Sequence, residues 1–353
     1  MAPLIRPSPR RIAVFRALQL GDLLCIVPAL RALSNAYPDA EFTLIGLAWA
    51  RDFAARYAYI DDFLEFPGAP GLPEREPDTF ALPAFFSAAR QRRFDVALQM
   101  HGSGEKTNSI VSGLGARVIV GFHPHKRVDL PSRQLLPWQP REREVARYLR
   151  LVEAVGATPL GDQLEFPIRQ WERDELARVF GRRGIARRYV CVHPGARLPS
   201  RRWPVDRFAK IADQLATLGY SIVLTGTADE AAFARTVLQS MNHPATNLAG
   251  GTSLGALAAL VEGASLVVCN DTGISHIAAA MRTPSVVISS GADAERWRPT
   301  NHVRHTTLWH NVPCRPCAHA VCPTGHECAL GVDVNHVMTE ARRLLEWGAA
   351  CAA

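Results

Sequence analysis

Apolar residues fall along the chain in two alternating rhythms. Short unbroken runs, which read as strands buried on both faces, occur at Arg11–Phe15, Phe42–Leu47, Phe63–Phe66, Val96–Met100 and Val118–Gly121. Between them, apolar positions recur every third or fourth residue. Leu23, Ile26, Val27, Leu30 and Leu33 predict a helix over Asp22–Ala36, and weaker patterns predict helices at Ala48–Tyr57, Thr79–Arg92 and Thr107–Gly113. The stretch Phe122–Pro140, rich in Pro, His and Arg, reads as an irregular surface loop before a helix at Glu142–Val155. Thr158–Gln170 is polar, with Gly and prolines, and reads as a linker. A second cycle follows. Strands are predicted at Tyr189–Val192, Ser221–Thr225, Ser265–Cys269 and Ser285–Ser289. Helices are predicted at Val205–Leu218 (stopped by Gly219), Asp229–Ser240, Leu254–Glu262, from Gly273 to Met281, and at Val334–Trp347.

Such alternation predicts parallel sheets with crossover helices: an α/β chain of two Rossmann-like, doubly wound halves. Residues 1–165 form the first domain; residues 166–335 form the second, with a cysteine-rich loop at 311–330; residues 336–353 form a C-terminal helix. Ligands of such folds sit at the carboxyl ends of strands, so a central cleft between facing halves is the expected site.

Composition narrows this picture. The 353 residues suit two domains at roughly 150 residues each. With 48% hydrophobic and 21% charged residues, wholesale disorder, collagen and a disulfide miniprotein are excluded. The net charge is +7, and of the 40 basic residues only Lys106, Lys126 and Lys210 are lysines. A basic surface is either simply solvated or attracts anions: a nucleotide, a phosphorylated glycan or an anionic leaflet. No basic run of the kind that binds nucleic acid is present. No apolar stretch approaches the roughly 18 residues of a membrane span. The start, Met1–Arg11, is rich in Pro and Arg and does not resemble a signal peptide. A soluble, cytoplasmic protein is expected, with at most peripheral contact on the inner membrane face.

Four strand-to-helix turns carry candidate chemistry. Asn270-Asp271-Thr272-Gly273-Ile274-Ser275-His276 offers hydroxyls, a close-turning glycine and the N–H groups of a first helical turn, all suited to an anion. It is equally a capped helix start. His193-Pro194-Gly195-Ala196, followed by Arg201-Arg202-Trp203-Pro204, suits a diphosphate, or is a plain surface loop. Gly21-Asp22 opens the first helix, where Asp22 is either a cap or a general base. Gly226-Thr227-Ala228-Asp229-Glu230 places carboxylates where a ribose hydroxyl binds in dinucleotide folds, or is an acidic first turn. On the first half, His101-Gly102-Ser103-Gly104 ends a strand, and His101 and Ser103 are candidates for the acceptor side. No P-loop, dinucleotide fingerprint, nucleophile elbow or Asp-x-Asp metal pair is present.

Together these turns resemble glycosyltransferase family 9, the heptosyltransferases of lipopolysaccharide core assembly. The resemblance rests on Gly21-Asp22-Leu23-Leu24 with Pro28-Ala29-Leu30-Arg31-Ala32-Leu33, and on Asp271-Thr272-Gly273 with His276. It implies a GT-B fold and inverting, metal-independent transfer of a heptose or related sugar. The implied donor is an ADP-sugar, and the implied acceptor a glycolipid or oligosaccharide such as the lipopolysaccharide core. By position, Asp22 resembles the catalytic base; Thr272, Gly273 and His276 resemble donor-phosphate contacts supported by Asp271; Glu230 resembles the ribose contact. Arg201 stands where the family usually has a lysine before x-Trp-Pro, which keeps the charge but not a point donor. The same architecture also carries sugar-nucleotide epimerases, and a non-catalytic nucleotide-sugar-binding protein would keep the donor turns.

Catalysis as implied needs no cofactor. Cys314, Cys317, Cys322 and Cys328 nevertheless lie within 15 residues, with His319 and His326 among them. The spacing is compatible with a structural zinc, with reduced thiols, or with a disulfide or iron–sulfur arrangement. Cys25, Cys191, Cys269 and Cys351 read as ordinary apolar or terminal cysteines.

Overall fold

A computed structural model describes residues 8–130, 132–186 and 188–352, so most of the Pro- and Arg-rich start lies outside it. The chain divides into two compact units, Met1–Pro167 and Ile168–Ala353.

In the first unit, β1 (Arg11–Phe15), β2 (Glu41–Gly46), β3 (Asp62–Glu65), β4 (Val96–Gln99), β5 (Val118–His123), β6 (Val128–Leu130) and β7 (Arg133–Pro137) form one sheet in the order β3-β2-β1-β4-β5-β7-β6. Every pairing is parallel except β6 with β7. The helices are α1 (Leu20–Ala36), α2 (Ala50–Ala54), α3 (Leu82–Gln91), α4 (Thr107–Gly113) and α5 (Glu144–Glu153). Helix α1 is apolar nearly all round, as suits a helix enclosed by protein, and it packs against α5. The core gathers Phe15, Ile45, Phe66, Phe85, Phe94 and Leu114.

The second unit holds α6 (Gln170–Arg183), β8 (Tyr189–His193), α7 (Val205–Thr217), β9 (Ser221–Leu224), α8 (Ala231–Ser240), β10 (Ala245–Asn247), α9 (Leu254–Glu262), β11 (Leu266–Asn270), α10 (Gly273–Ala280), β12 (Ser285–Ile288), α11 (Ala294–Trp297), β13 (His305–Leu308), α12 (Glu327–Leu330) and α13 (Val334–Ala352). Its all-parallel sheet runs β10-β9-β8-β11-β12-β13. Both sheets therefore reverse direction at the first strand of their unit, between β1 and β4 and between β8 and β11. These are topological switch points, where neighbouring crossovers leave a crevice at the carboxyl ends.

Three expectations change. The region 122–140 is not wholly irregular: Leu135 and Leu136 are buried on β7, which extends the sheet beside β5, and β6 folds back on it. Helix α6 has no counterpart in the apolar pattern, because its contacts with α9 are largely polar: Glu172 is fully buried, and Arg173 pairs with Glu262. The C-terminal helix is part of the second unit's core, where α13 buries Val337, Met338, Ala341 and Leu344.

Glu172 lies against Gly255 of α9 so closely that a Cβ at Gly255 would overlap its carboxyl group. One Glu172 oxygen accepts the Arg169 N–H at 2.8 Å, which caps α6, so the side chain cannot swing aside without losing that bond. Gly255→Ala is expected to cost about 1–3 kcal/mol, read as a lower urea midpoint at unchanged slope. A wild-type midpoint would show that the α6–α9 contact is not close-packed.

Candidate active site

In the first unit the loops after β1 and β4 meet around a buried charge. Arg16, directly after β1, is fully buried. Its Nε donates to the Asp22 carbonyl at 2.7 Å, and its Nη2 lies 3.1 Å from Glu144 Oε1 and 3.4 Å from Asp22 Oδ1. Its Nη1 donates to the Met100 carbonyl and to the Tyr148 hydroxyl. Burial alone would lower the Arg16 pKa, but Tyr148, Glu144 and Asp22 outweigh it and the net shift is upward, so the group stays charged. Glu144 in turn pairs with buried Arg147, whose guanidinium stacks 3.8 Å from the Trp138 ring centroid.

Asp22 therefore meets partners of different kinds. Its Oδ2 accepts the Gln19 N–H at 3.3 Å, half of a capping box at the start of α1, while Oδ1 faces Arg16. Its side chain remains 21% exposed, so cap and reactive carboxylate are compatible roles. His101 stacks on Phe15 at 5.5 Å and places Nε2 3.5 Å from Glu74 Oε1; it is nearly buried at the end of β4. Ser103 is half-buried in the following loop, where its hydroxyl meets the Glu105 N–H. In the basic loop, His123 Nδ1 accepts the N–H groups of His125 and Lys126, so that ring closes a local turn.

The second unit uses the loops after β8 and β11. His193 places Nδ1 3.0 Å from the Thr225 hydroxyl and Nε2 3.5 Å from Glu230. Burial lowers its pKa against the pull of Glu230 and favours the neutral ring. Glu230 accepts the Thr227 N–H at 2.9 Å and lies over Gly195, where a Cβ would sit 2.6 Å from its Oε1. A Cβ at 195 would push the Glu230 carboxyl group from this position. His193, Gly195 and Glu230 thus come together.

Asn270, fully buried at the end of β11, ties these loops: its Nδ2 donates to the Pro194 carbonyl at 2.8 Å and its Oδ1 accepts the Trp203 N–H at 2.9 Å. Next to it, Thr272 stands at the N-cap of α10, with its hydroxyl buried and without a hydrogen-bond partner. Gly273 opens the helix, and His276 is buried on it with its ring edge-on to Trp297. Burial raises the Asp271 pKa, opposed by a 3.0 Å hydrogen bond from Ser289 and by Arg201 and Arg315. Arg201 donates through Nη2 to the Cys317 carbonyl at 2.6 Å, and its buried Nη1 has no partner.

Among the described residues no three His, Cys, Asp or Glu side chains form a metal-holding group. Cys314 is exposed, Cys317 and Cys322 are half-buried, and Cys328 is buried with α12; none of the seven described cysteines is placed in a disulfide. The Cys351 side chain lies outside the described residues.

Sequence reasoning singled out every turn at the two switch points but missed Arg16, Glu144 and Tyr148. Arg16 had a visible signal, as the one charge inside the apolar run Ile12–Leu24 before Asp22. Glu144 had none, because 128 positions separate it from Arg16.

Two doubly wound units, each with a polar, partly unsatisfied turn at its switch point, are the units of a GT-B fold. A family model for glycosyltransferase family 9 (heptosyltransferase) matches residues 83–327, and the chain belongs to that family. It is 25% identical over 354 aligned residues to lipopolysaccharide heptosyltransferase 2 of Escherichia coli K12, covering 95% of this chain and 98% of that one. Two solved structures share the fold. A family 9 glycosyltransferase from Veillonella parvula matches with a TM-score of 0.79 and 19% identity, over 95% of this chain and 97% of that one. The ADP-heptose LPS heptosyltransferase II of E. coli matches with a TM-score of 0.72 and 19% identity, over 96% and 99%.

Arg16→Met removes the guanidinium that Glu144 and Asp22 face inside the protein. A loss of about 3–5 kcal/mol is expected, measured by chemical denaturation. An unchanged unfolding midpoint would show that the buried charge is dispensable.

Proposed function

We propose that the protein transfers a heptose, or a closely related sugar, from an ADP-sugar to a lipopolysaccharide core or related glycan, with inversion and without a catalytic metal. The observation that carries the donor half is the pair of buried donors left without partners, Arg201 Nη1 and Thr272 Oγ1, where α10 presents its first N–H groups. Unmade hydrogen bonds of this kind are costly, and phosphate oxygens would satisfy them. The ADP-heptose named for the E. coli heptosyltransferase supports the choice of nucleotide and sugar.

In this reading Asp22 takes the proton of an acceptor hydroxyl as that oxygen bonds to the anomeric carbon. The bond from that carbon to the diphosphate breaks from the opposite face, and ADP leaves with the electron pair. Arg201, Thr272 and the α10 N-terminus meet the charge that grows on the leaving phosphate, which is the task a metal performs elsewhere. Arg16 faces the Asp22 carboxylate and fixes its aim, while the capping bond to Gln19 restrains its rotation. Glu230, backed by His193, meets the ribose. His101 and Ser103 stand on the acceptor side. No helix among the described residues is long and apolar enough to cross a membrane, so work on a glycolipid implies peripheral, salt-sensitive contact from the cytoplasmic face.

Calorimetric titration with ADP, UDP and GDP in the presence of chelator tests the donor. Clear preference for ADP is expected; preference for UDP or GDP would overturn the ADP-sugar assignment. For the base, Asp22→Asn is expected to lower kcat by at least about 10²–10⁴-fold while ADP affinity stays within about twofold. Near-wild-type turnover would remove Asp22 from that role.

A further inference from the structure

The cysteine-rich segment is built into the donor turn through its backbone and through one arginine. Arg315 stands between Cys314 and Cys317. Its Nη1 donates to the carbonyls of Ser289 and Ser290 at 2.8 and 2.9 Å, and its Nη2 to the Ser289 hydroxyl at 3.1 Å. That hydroxyl in turn donates a hydrogen bond to Asp271 Oδ2 at 3.0 Å. Both serines are buried. The segment is anchored on either side. Cys317 donates its N–H to the Gly291 carbonyl at 2.8 Å and accepts from Arg201 through its own carbonyl. Ser200, the neighbour of Arg201, bonds to Ala320, His319 and His326.

The charges around Asp271 explain why a second arginine matters. Arg201 and Arg315 both act on this half-buried carboxylate, and Asp293 acts on Asp271 and on Arg315. Two guanidinium groups thus balance two carboxylates beside Asp271. With Arg201 alone the cluster would be net negative, and Asp271 would compete with an incoming diphosphate for Arg201. A guanidinium suits the task, because its fork grips two carbonyls and a hydroxyl at once.

We propose that Arg315 is a positioning residue of the donor site: through Ser289 it holds Asp271, leaving Arg201 to the diphosphate, and the cysteine-rich segment serves to deliver it there. This rests on the donor reading above, but it concerns the diphosphate and not the base.

The test compares wild type, Arg315→Gln, Arg315→Lys and Ser289→Ala in the full chain. ADP, UDP, GDP and inorganic pyrophosphate are titrated, and donor KM and kcat are measured separately. Loss of hydrogen bonds to a charged group, worth about 1.5–3 kcal/mol, corresponds to a roughly 10–150-fold weaker diphosphate Kd and higher donor KM in Arg315→Gln. The change in kcat should be smaller than that in KM. Arg315→Lys should recover part of the affinity by restoring charge, and Ser289→Ala should weaken binding in the same direction. Wild-type affinity in Arg315→Gln overturns the proposal. So does equal loss in the Gln and Lys variants that tracks a falling melting temperature, since that is plain structural support. If Arg315→Gln does not fold, wild-type affinity in Ser289→Ala overturns it instead. If wild type prefers UDP or GDP, the ADP reading fails while the Arg315 comparison stands on the preferred nucleotide. If wild type binds none of the four ligands, both fail.

Discussion

A guanidinium with no access to water is the constraint around which the first unit is organised. Moving such an ion out of water costs several kcal/mol even after relaxation, and only close opposite charge and well-placed acceptors offset it. Arg16 finds them on three segments far apart in sequence: Asp22 at the start of α1, Met100 after β4, and Glu144 with Tyr148 on α5. The charge can be accommodated only when all three are in place. The group that makes the fold exacting is therefore the one that aims the candidate base. The second unit meets a related problem with the sign reversed: there a half-buried carboxylate, Asp271, accepts from Ser289 and feels Arg201, Arg315 and Asp293.

This explains which parts of the molecule were legible in the sequence. The strand–helix alternation was readable because parallel strands buried on both faces leave unbroken apolar runs. The turns at residues 21–22, 193–196, 226–230 and 270–276 were readable because glycine, hydroxyls and carboxylates gather there where strands pass into helices. What escaped is held together by long-range polar contacts, which leave no periodic trace. Helix α6 packs through Glu172 and Arg173, and β7 hides two leucines in a stretch dominated by Pro, His and Arg. The pairing of Arg16 with Glu144 joins positions that no local window connects.

The cysteine segment is tied to the rest of the second unit through its backbone and one arginine. Its spacing draws attention to the thiols, and the side chain joined to the Ser289–Asp271 contact is the arginine between two of them. Carbonyl and amide groups of the same segment hold Ser200, Arg201 and Gly291. Sulfur-rich composition marks a chemistry available to a loop, whereas hydrogen bonding shows what the loop is fastened to.

The fold-back of β6 onto β7 has a separate consequence for behaviour in a crowded solution. A parallel sheet that ended at a long, flat strand would offer its free N–H and C=O groups to any other extended chain. Here the last strand is only Val128–Leu130, it runs against its neighbour, and Lys126 and Arg127 precede it. Few backbone groups are left to template a further strand, and the adjacent positive charges repel a second copy of the same edge. The hairpin thus acts as a stop that keeps a growing sheet from continuing into another molecule.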